Sequence, residues 1–148
     1  AMFYGVALVQ LMLNSSINAA GLDSMMTVMA KAIADIAGQG FPMVSPFIGI
    51  LGSFIAGSST VSNMLFTPMQ FETATLLNMP PVMIVALQCV GGCIGNMICV
   101  NNVVAATATV GAIGVEGKII RRNMVPVLIY SAIAIIFASI FIYSDMIQ

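Results

Sequence analysis

Of 148 residues, 60% are hydrophobic and 6% charged, and histidine is absent; soluble domains carry about 25% charged side chains. Four basic and five acidic residues give a net charge of −1 and leave 36–71, 73–115 and 123–144 without a charge. This excludes a water-solvated surface, which needs polar residues at every helical turn, and a nucleic-acid partner, which needs a basic patch against the phosphates.

The predicted elements are all helical. The apolar run from Met2 to about Ile17 reads as the end of a spanning helix within 2–20. It has no basic leader and no cleavage site, so it reads as a piece of something longer. Asp23 is the expected N-cap and Gly38 the stop of a helix over 23–38. At about 15 residues, with Lys31 and Asp35 one turn apart, that helix fits the membrane interface better than a full crossing.

The segment 41–79 opens on Pro42 and Pro46 and is interrupted by Gly57-Ser58-Ser59-Thr60-Val61-Ser62-Asn63. Each flank of about 15 residues reaches about 23 Å as helix, short of a hydrocarbon core of roughly 30 Å. Two short arms around a polar tip predict a re-entrant hairpin, its second arm starting near Ser62. The tip must be buried in protein or line a watery cavity. The segment 80–114 breaks at Gly91-Gly92-Cys93-Ile94-Gly95-Asn96 and again at Asn101-Asn102. It reads as one spanning helix unwound at mid-depth, its second half starting near Asn102. The run Met124–Tyr143, with Pro126 in its first turn and a tyrosine near each end, is the clearest transmembrane helix.

Lys118, Arg121 and Arg122 sit together before it. The positive-inside rule therefore puts a loop 115–123 in the cytoplasm and Gln148 outside. The hairpin then enters from outside.

Two breaks at similar depth would bring two helix N-termini together, each with free N–H groups and a partial positive charge. Such ends bind carboxylates in secondary transporters. Ser, Thr and Asn beside them can bond a substrate hydroxyl, and glycines 57, 91, 92 and 95 allow unusual dihedrals and close approach. Gly91-x-x-x-Gly95 and the small face 105–109 equally match helix packing. Without histidine or paired acids, neither a metal site nor an enzyme centre can be assembled. Cys89, Cys93 and Cys99 lack the spacing of a metal knuckle and read as small packing residues. Glu72, the one acid in the central region, is a candidate proton relay.

The run FPMVSPFIGILGSFIAGSSTVSNMLFTPMQ at 41–70 resembles the signature of the lactate permease family, and GGCIGNMICVNNVVAATATVGAIGVEGKIIRRN at 91–123 is similar to its second stretch. The likeness covers roughly residues 10–143. It implies the C-terminal part of a plasma-membrane permease for L-lactate, glycolate and related 2-hydroxy monocarboxylates, proton-coupled and without a cofactor. It also implies a superfamily of two inverted repeats, each with a hairpin and a broken helix, so the partners would be the remaining N-terminal repeat, the lipid bilayer and a further copy in a homo-oligomer. By this resemblance Ser58, Ser59, Thr60, Ser62 and Asn63 fall on the hairpin tip, and Gly95, Asn96, Asn101 and Asn102 on the helix break. An elevator-type transport unit is an analogy at the level of fold alone. The competing readings are a sodium-coupled di- or tricarboxylate porter of the same superfamily and a non-transporting membrane subunit whose polar tip a partner would plug.

Overall fold

The computed structural model describes residues 2–145; the expected outside location of Gln148 lies beyond them. Seven α-helices follow in order: α1 (Met2–Leu13), α2 (Met25–Ala37), α3 (Phe41–Ala56), α4 (Ser59–Leu76), α5 (Pro81–Gly95), α6 (Val100–Thr109) and α7 (Glu116–Asp145). No strand occurs among the described residues. Three stretches, Met25–Ala56, Pro81–Thr109 and Glu116–Ser144, are long and apolar enough to cross a bilayer. The first reaches that length only by joining α2 to α3 across Gly38, whose φ is 49°. The chain is an all-α membrane protein.

Local chemistry sets the ends of these helices, and several differ from expectation. The first helix stops at Leu13, short of residue 20, and passes into a 3₁₀ turn at Asn14–Ser16. There Asn14 Nδ2 donates to Gln10 O at 2.8 Å and Ser15 Oγ to Met12 O at 2.6 Å. Such side chains give the backbone an alternative to further helix. The cap of α2 is Ser24, not Asp23: Ser24 is extended and its Oγ accepts from Thr27 N at 3.1 Å. Asp23 instead pairs with Lys31 at 2.5 Å in an exposed bridge, which solvent screening leaves weak.

Prolines open α3 and α5, where a missing N–H is harmless and a fixed φ favours the first turn. Between α4 and α5 the chain reverses in a Schellman turn. Asn78 takes φ 55°, Met79 N donates to Ala74 O at 2.9 Å and Asn78 N to Thr75 O at 3.2 Å.

The largest departure is α7. Residues 115–123 are not a loop, because the helix begins at Glu116 and runs 30 residues, with Pro126 inside it rather than in its first turn. Glu116 accepts from Gly114 N at 3.1 Å and from Thr107 Oγ1 at 3.2 Å, which places a carboxylate at the positive end of the helix. Lys118, Arg121 and Arg122 are exposed on its first turns.

Pairings across the bundle define its directions. Ser45 meets Gln70 and Gly49 meets Ser62, so α3 and α4 are antiparallel. Ser45 meets Ile84 and Ser53 meets Gly92, so α5 runs parallel to α3. On α7, Asn123 meets Met97, and Tyr143 meets Gln39. That helix therefore runs back from the break toward the hairpin base. Apolar clusters seal the layers: Phe41, Ile84, Leu87 and Ile142 near the base, and Ile50, Ile94, Ile98 and Val127 near the break. Met26, Ala30 and Met69 join α2 to α4.

Candidate functional site

At the end of α3, Gly57 takes φ 72° and its N–H bonds Ser53 O at 2.8 Å. That left-handed conformation closes the helix at little cost only for glycine. Ser58 is extended, and its Oγ accepts from Val61 N at 3.4 Å, so α4 starts at Ser59, three residues before the expected Ser62. The polar tip is thus two capping residues followed by the first turns of a helix. Ser59 and Asn63 are half-buried and one turn apart; Thr60 is exposed.

The break in the second segment spans residues 96–99. Here α6 begins at Val100 rather than near Asn102, its N-cap Cys99 supplies no side-chain bond, and it ends at Thr109. Asn101 and Asn102 lie exposed in its first turn, and Asn102 Nδ2 reaches Asn96 Oδ1 at 3.4 Å.

Tip and break meet. A Cβ on Gly57 would stand 3.0 Å from Asn101 Nδ2 and 3.5 Å from Cys99 Sγ. The N-termini of α4 and α6 therefore open at one end of the α3–α4–α5 layer. Among the described residues, no hydrogen bond joins Ser59, Thr60, Ser62 or Asn63 to Asn96, Asn101 or Asn102. Of the nine expected site residues, Ser62 faces inward: it is fully buried and donates to Gly49 O at 3.0 Å. Gly95 is a packing position, where a Cβ would stand 2.5 Å from Ile50 O. Glycines 91, 92 and 95 carry no positive φ; what they supply is close approach, and Gly57 alone of the four supplies an unusual dihedral.

The break is level with the start of the apolar run on α7, not its middle. Asn123 Nδ2 donates to Met97 O at 2.7 Å, immediately before Met124. From Val127, opposite Ile98, to Tyr143, opposite Gln39, is ~24 Å of helix, which matches the length of α3. The expected mid-depth tip is thus placed, relative to α7, toward its basic end. Replacing Asn123 by Ala should free Met97 O and cost about 1 kcal/mol in thermal unfolding; an unchanged midpoint would show that the bond does not hold the break.

Sequence reasoning overlooked the glutamines. Gln70 on α4 and Gln88 on α5 are fully buried and bonded to each other at 2.5 Å, with Ser45 at one end and Ser62 and Asn63 at the other. The available signal was a neutral amide among apolar neighbours in each of the two central charge-free runs. Glu72, by contrast, lies 13 residues beyond Ser59, or ~20 Å along α4. Near the break, a hollow of about 490 Å³ between α3 and α7 is lined by Phe47, Phe54, Ile98 and Met124 among others. It offers an anion no donor.

The sequence model of the L-lactate permease family matches residues 1–144. The chain belongs to the L-lactate permease family. It is 40% identical over 114 residues to a putative L-lactate permease of Haemophilus influenzae, covering 77% of this chain and 21% of that protein. It is 37% identical over 109 residues to the glycolate permease GlcA of Escherichia coli, with 74% and 19% covered. The L-lactate permease of Escherichia coli shares 36% over 116 residues, with 78% and 20% covered. The chain thus spans about a fifth of the length of these relatives. No solved structure matches it.

Proposed function

We propose that this segment belongs to a secondary transporter, not an enzyme, that moves L-lactate, glycolate or a related 2-hydroxy monocarboxylate across the plasma membrane by proton symport. The observation that carries the reading is the meeting of two helix N-termini, at Ser59 and Val100, in a chain of this family. Free N–H groups and the helix dipoles favour a carboxylate there. Ser58, Ser59, Thr60, Asn63, Asn96, Asn101 and Asn102 supply side-chain donors and acceptors for the 2-hydroxyl, while Ser62 and Gly95 support them from behind. The other repeat of the permease completes the site, α2 lies in the interface and α3–α4 form a re-entrant hairpin.

Labelled L-lactate uptake by vesicles carrying the intact permease, with and without a pH gradient, tests the reading. Asn63→Ala and Asn102→Ala should each weaken apparent affinity about 10- to 100-fold, as loss of one charge-assisted bond does, while leaving insertion intact. Wild-type uptake by the well-folded double variant would place the site elsewhere, and uptake indifferent to the pH gradient would reject proton coupling.

The topology has its own test. The basic start of α7 and the tip lie at one end of the bundle, and the positive-inside rule puts that end in the cytoplasm. With the native cysteines removed, Glu116→Cys and Thr60→Cys should both react with an impermeant thiol reagent applied from the cytoplasmic side. Labelling of Glu116→Cys from outside would invert the orientation.

A further inference from the structure

The buried amides have a direction. Gln70 Nε2 donates to the Ser45 carbonyl at 3.1 Å. A carbonyl has nothing to donate, so the Gln70 amide can face it in only one way. Its Oε1 then accepts from Ser45 Oγ at 2.5 Å, and its Nε2 also donates to Gln88 Oε1. This turns Gln88 in the same sense, since the reverse would set two amide nitrogens against each other. Gln88 Nε2 accordingly donates to Ser62 Oγ and to Asn63 Oδ1, both at 3.2 Å. The Ser62 hydroxyl agrees, because its own proton goes to Gly49 O.

Asn63 is where the chain of bonds ends. Its oxygen is taken by Gln88, and its Nδ2 has no partner among the described residues. No buried polar side-chain atom among them lacks a partner and Asn63 is half-buried, so Nδ2 reaches the open side of the helix. Gly92 makes room for the arrangement, since a Cβ there would lie 3.0 Å from Asn63 Oδ1.

We propose that Gln70 and Gln88 are positioning residues that fix the Asn63 side chain with its N–H₂ group outward, presenting a donor to an acceptor oxygen of the carried anion. This rests on the transport reading above and adds to it the polarity of one contact and the residues that impose it. A carboxylate offers only acceptors, so a donor-outward amide favours it and an oxygen-outward amide opposes it.

The test uses the intact permease and lactate uptake kinetics. Gln88→Leu frees Asn63 to turn over and should raise KM about 10-fold, the order expected for one bond to a charged group, with little change in maximal rate per folded transporter. In an Asn63→Ala background the same substitution should leave KM unchanged. Asn63→Asp keeps the acceptor that Gln88 needs and replaces only the outward N–H₂ by oxygen. Its uptake should fall at least 10-fold at neutral pH, and the variant-to-wild-type ratio should recover as acidification restores an O–H donor. Should Gln88→Leu fail to fold, Asn63→Asp carries the test alone. Equal KM effects of Gln88→Leu in both backgrounds, or an Asn63→Asp ratio flat with pH, would overturn the positioning role. Absence of uptake by the wild type would overturn the transport reading, and the assigned role of the donor with it.

Discussion

Leucine at Gly91 is expected to abolish assembly of the bundle, and alanine there to weaken it, the overpacking of a tight contact costing about 1–3 kcal/mol before any gain in helix propensity. A Cβ on Gly91 would collide with the carbonyl of Pro46, and one on Gly95 would stand 2.5 Å from Ile50 O. A Cβ on Gly49 would meet Gln88 O at 2.5 Å. The obstacles are backbone atoms, which cannot rotate away, so α3 and α5 would have to separate. Separation would break the bonds from Ser53 Oγ to Gly92 O at 2.6 Å and from Ser45 Oγ to Ile84 O at 3.2 Å. Opposing this, alanine gains about 1 kcal/mol over glycine in a helix interior. The net sign is still loss, because two helices move to accommodate one methyl group. Gly117 on α7 is the control: nothing lies within 4 Å of its Cβ position, so Gly117→Ala should gain the propensity alone. Thermal unfolding of the intact protein in detergent compares them, and a Gly91→Ala midpoint at or above wild type would refute the close-packed seam.

Much of this seam and of the tip was legible in the sequence. Gly57 followed by Ser58 marks the hairpin tip because each type suits one capping task, and Pro42 and Pro80-Pro81 mark helix starts for a similar reason. The Gly91–Gly95 spacing announced a close helix contact. The beginning of α7 was hidden because hydropathy measures how much helix suits lipid, whereas Glu116–Asn123 is helix whose charged side chains suit water. The choice of Ser24 over Asp23 as cap was hidden because both types cap well. Only the fold shows that Asp23 is drawn to Lys31. The glutamines were hardest to see, because their partners are 18 to 26 residues away in the chain. An isolated amide in an apolar run carries no local pattern of its own.

The same glutamines set up the second large effect, on stability rather than uptake. Gln70→Leu should cost about 1–3 kcal/mol, because it strands one buried acceptor, Gln88 Oε1, whereas Ser45 O keeps its place in the hydrogen-bond ladder of α3. Ser45 Oγ suffers less, since it can turn to Ile84 O. Side-chain hydrogen bonds within membrane proteins average only about 0.6 kcal/mol by double-mutant cycles, because the unfolded segment also finds partners in the bilayer. That lower figure describes the bond; the larger one describes leaving its partner alone in a closed core. The two are separated by removing both partners. In Gln70→Leu/Gln88→Leu, the Gln88 oxygen no longer needs a donor, Ser62 keeps its bond to Gly49 O and half-buried Asn63 can turn to another partner. The double variant should therefore be more stable than Gln70→Leu, although it has lost more hydrogen bonds. It should nevertheless transport poorly, since nothing then orients Asn63. Strictly additive losses in thermal unfolding would mean that the bonds themselves, rather than the stranded groups, hold this part of the bundle together. The expected outcome, stability regained without activity, would mean that the glutamines are kept for the direction in which they turn Asn63 more than for the strength they lend the fold.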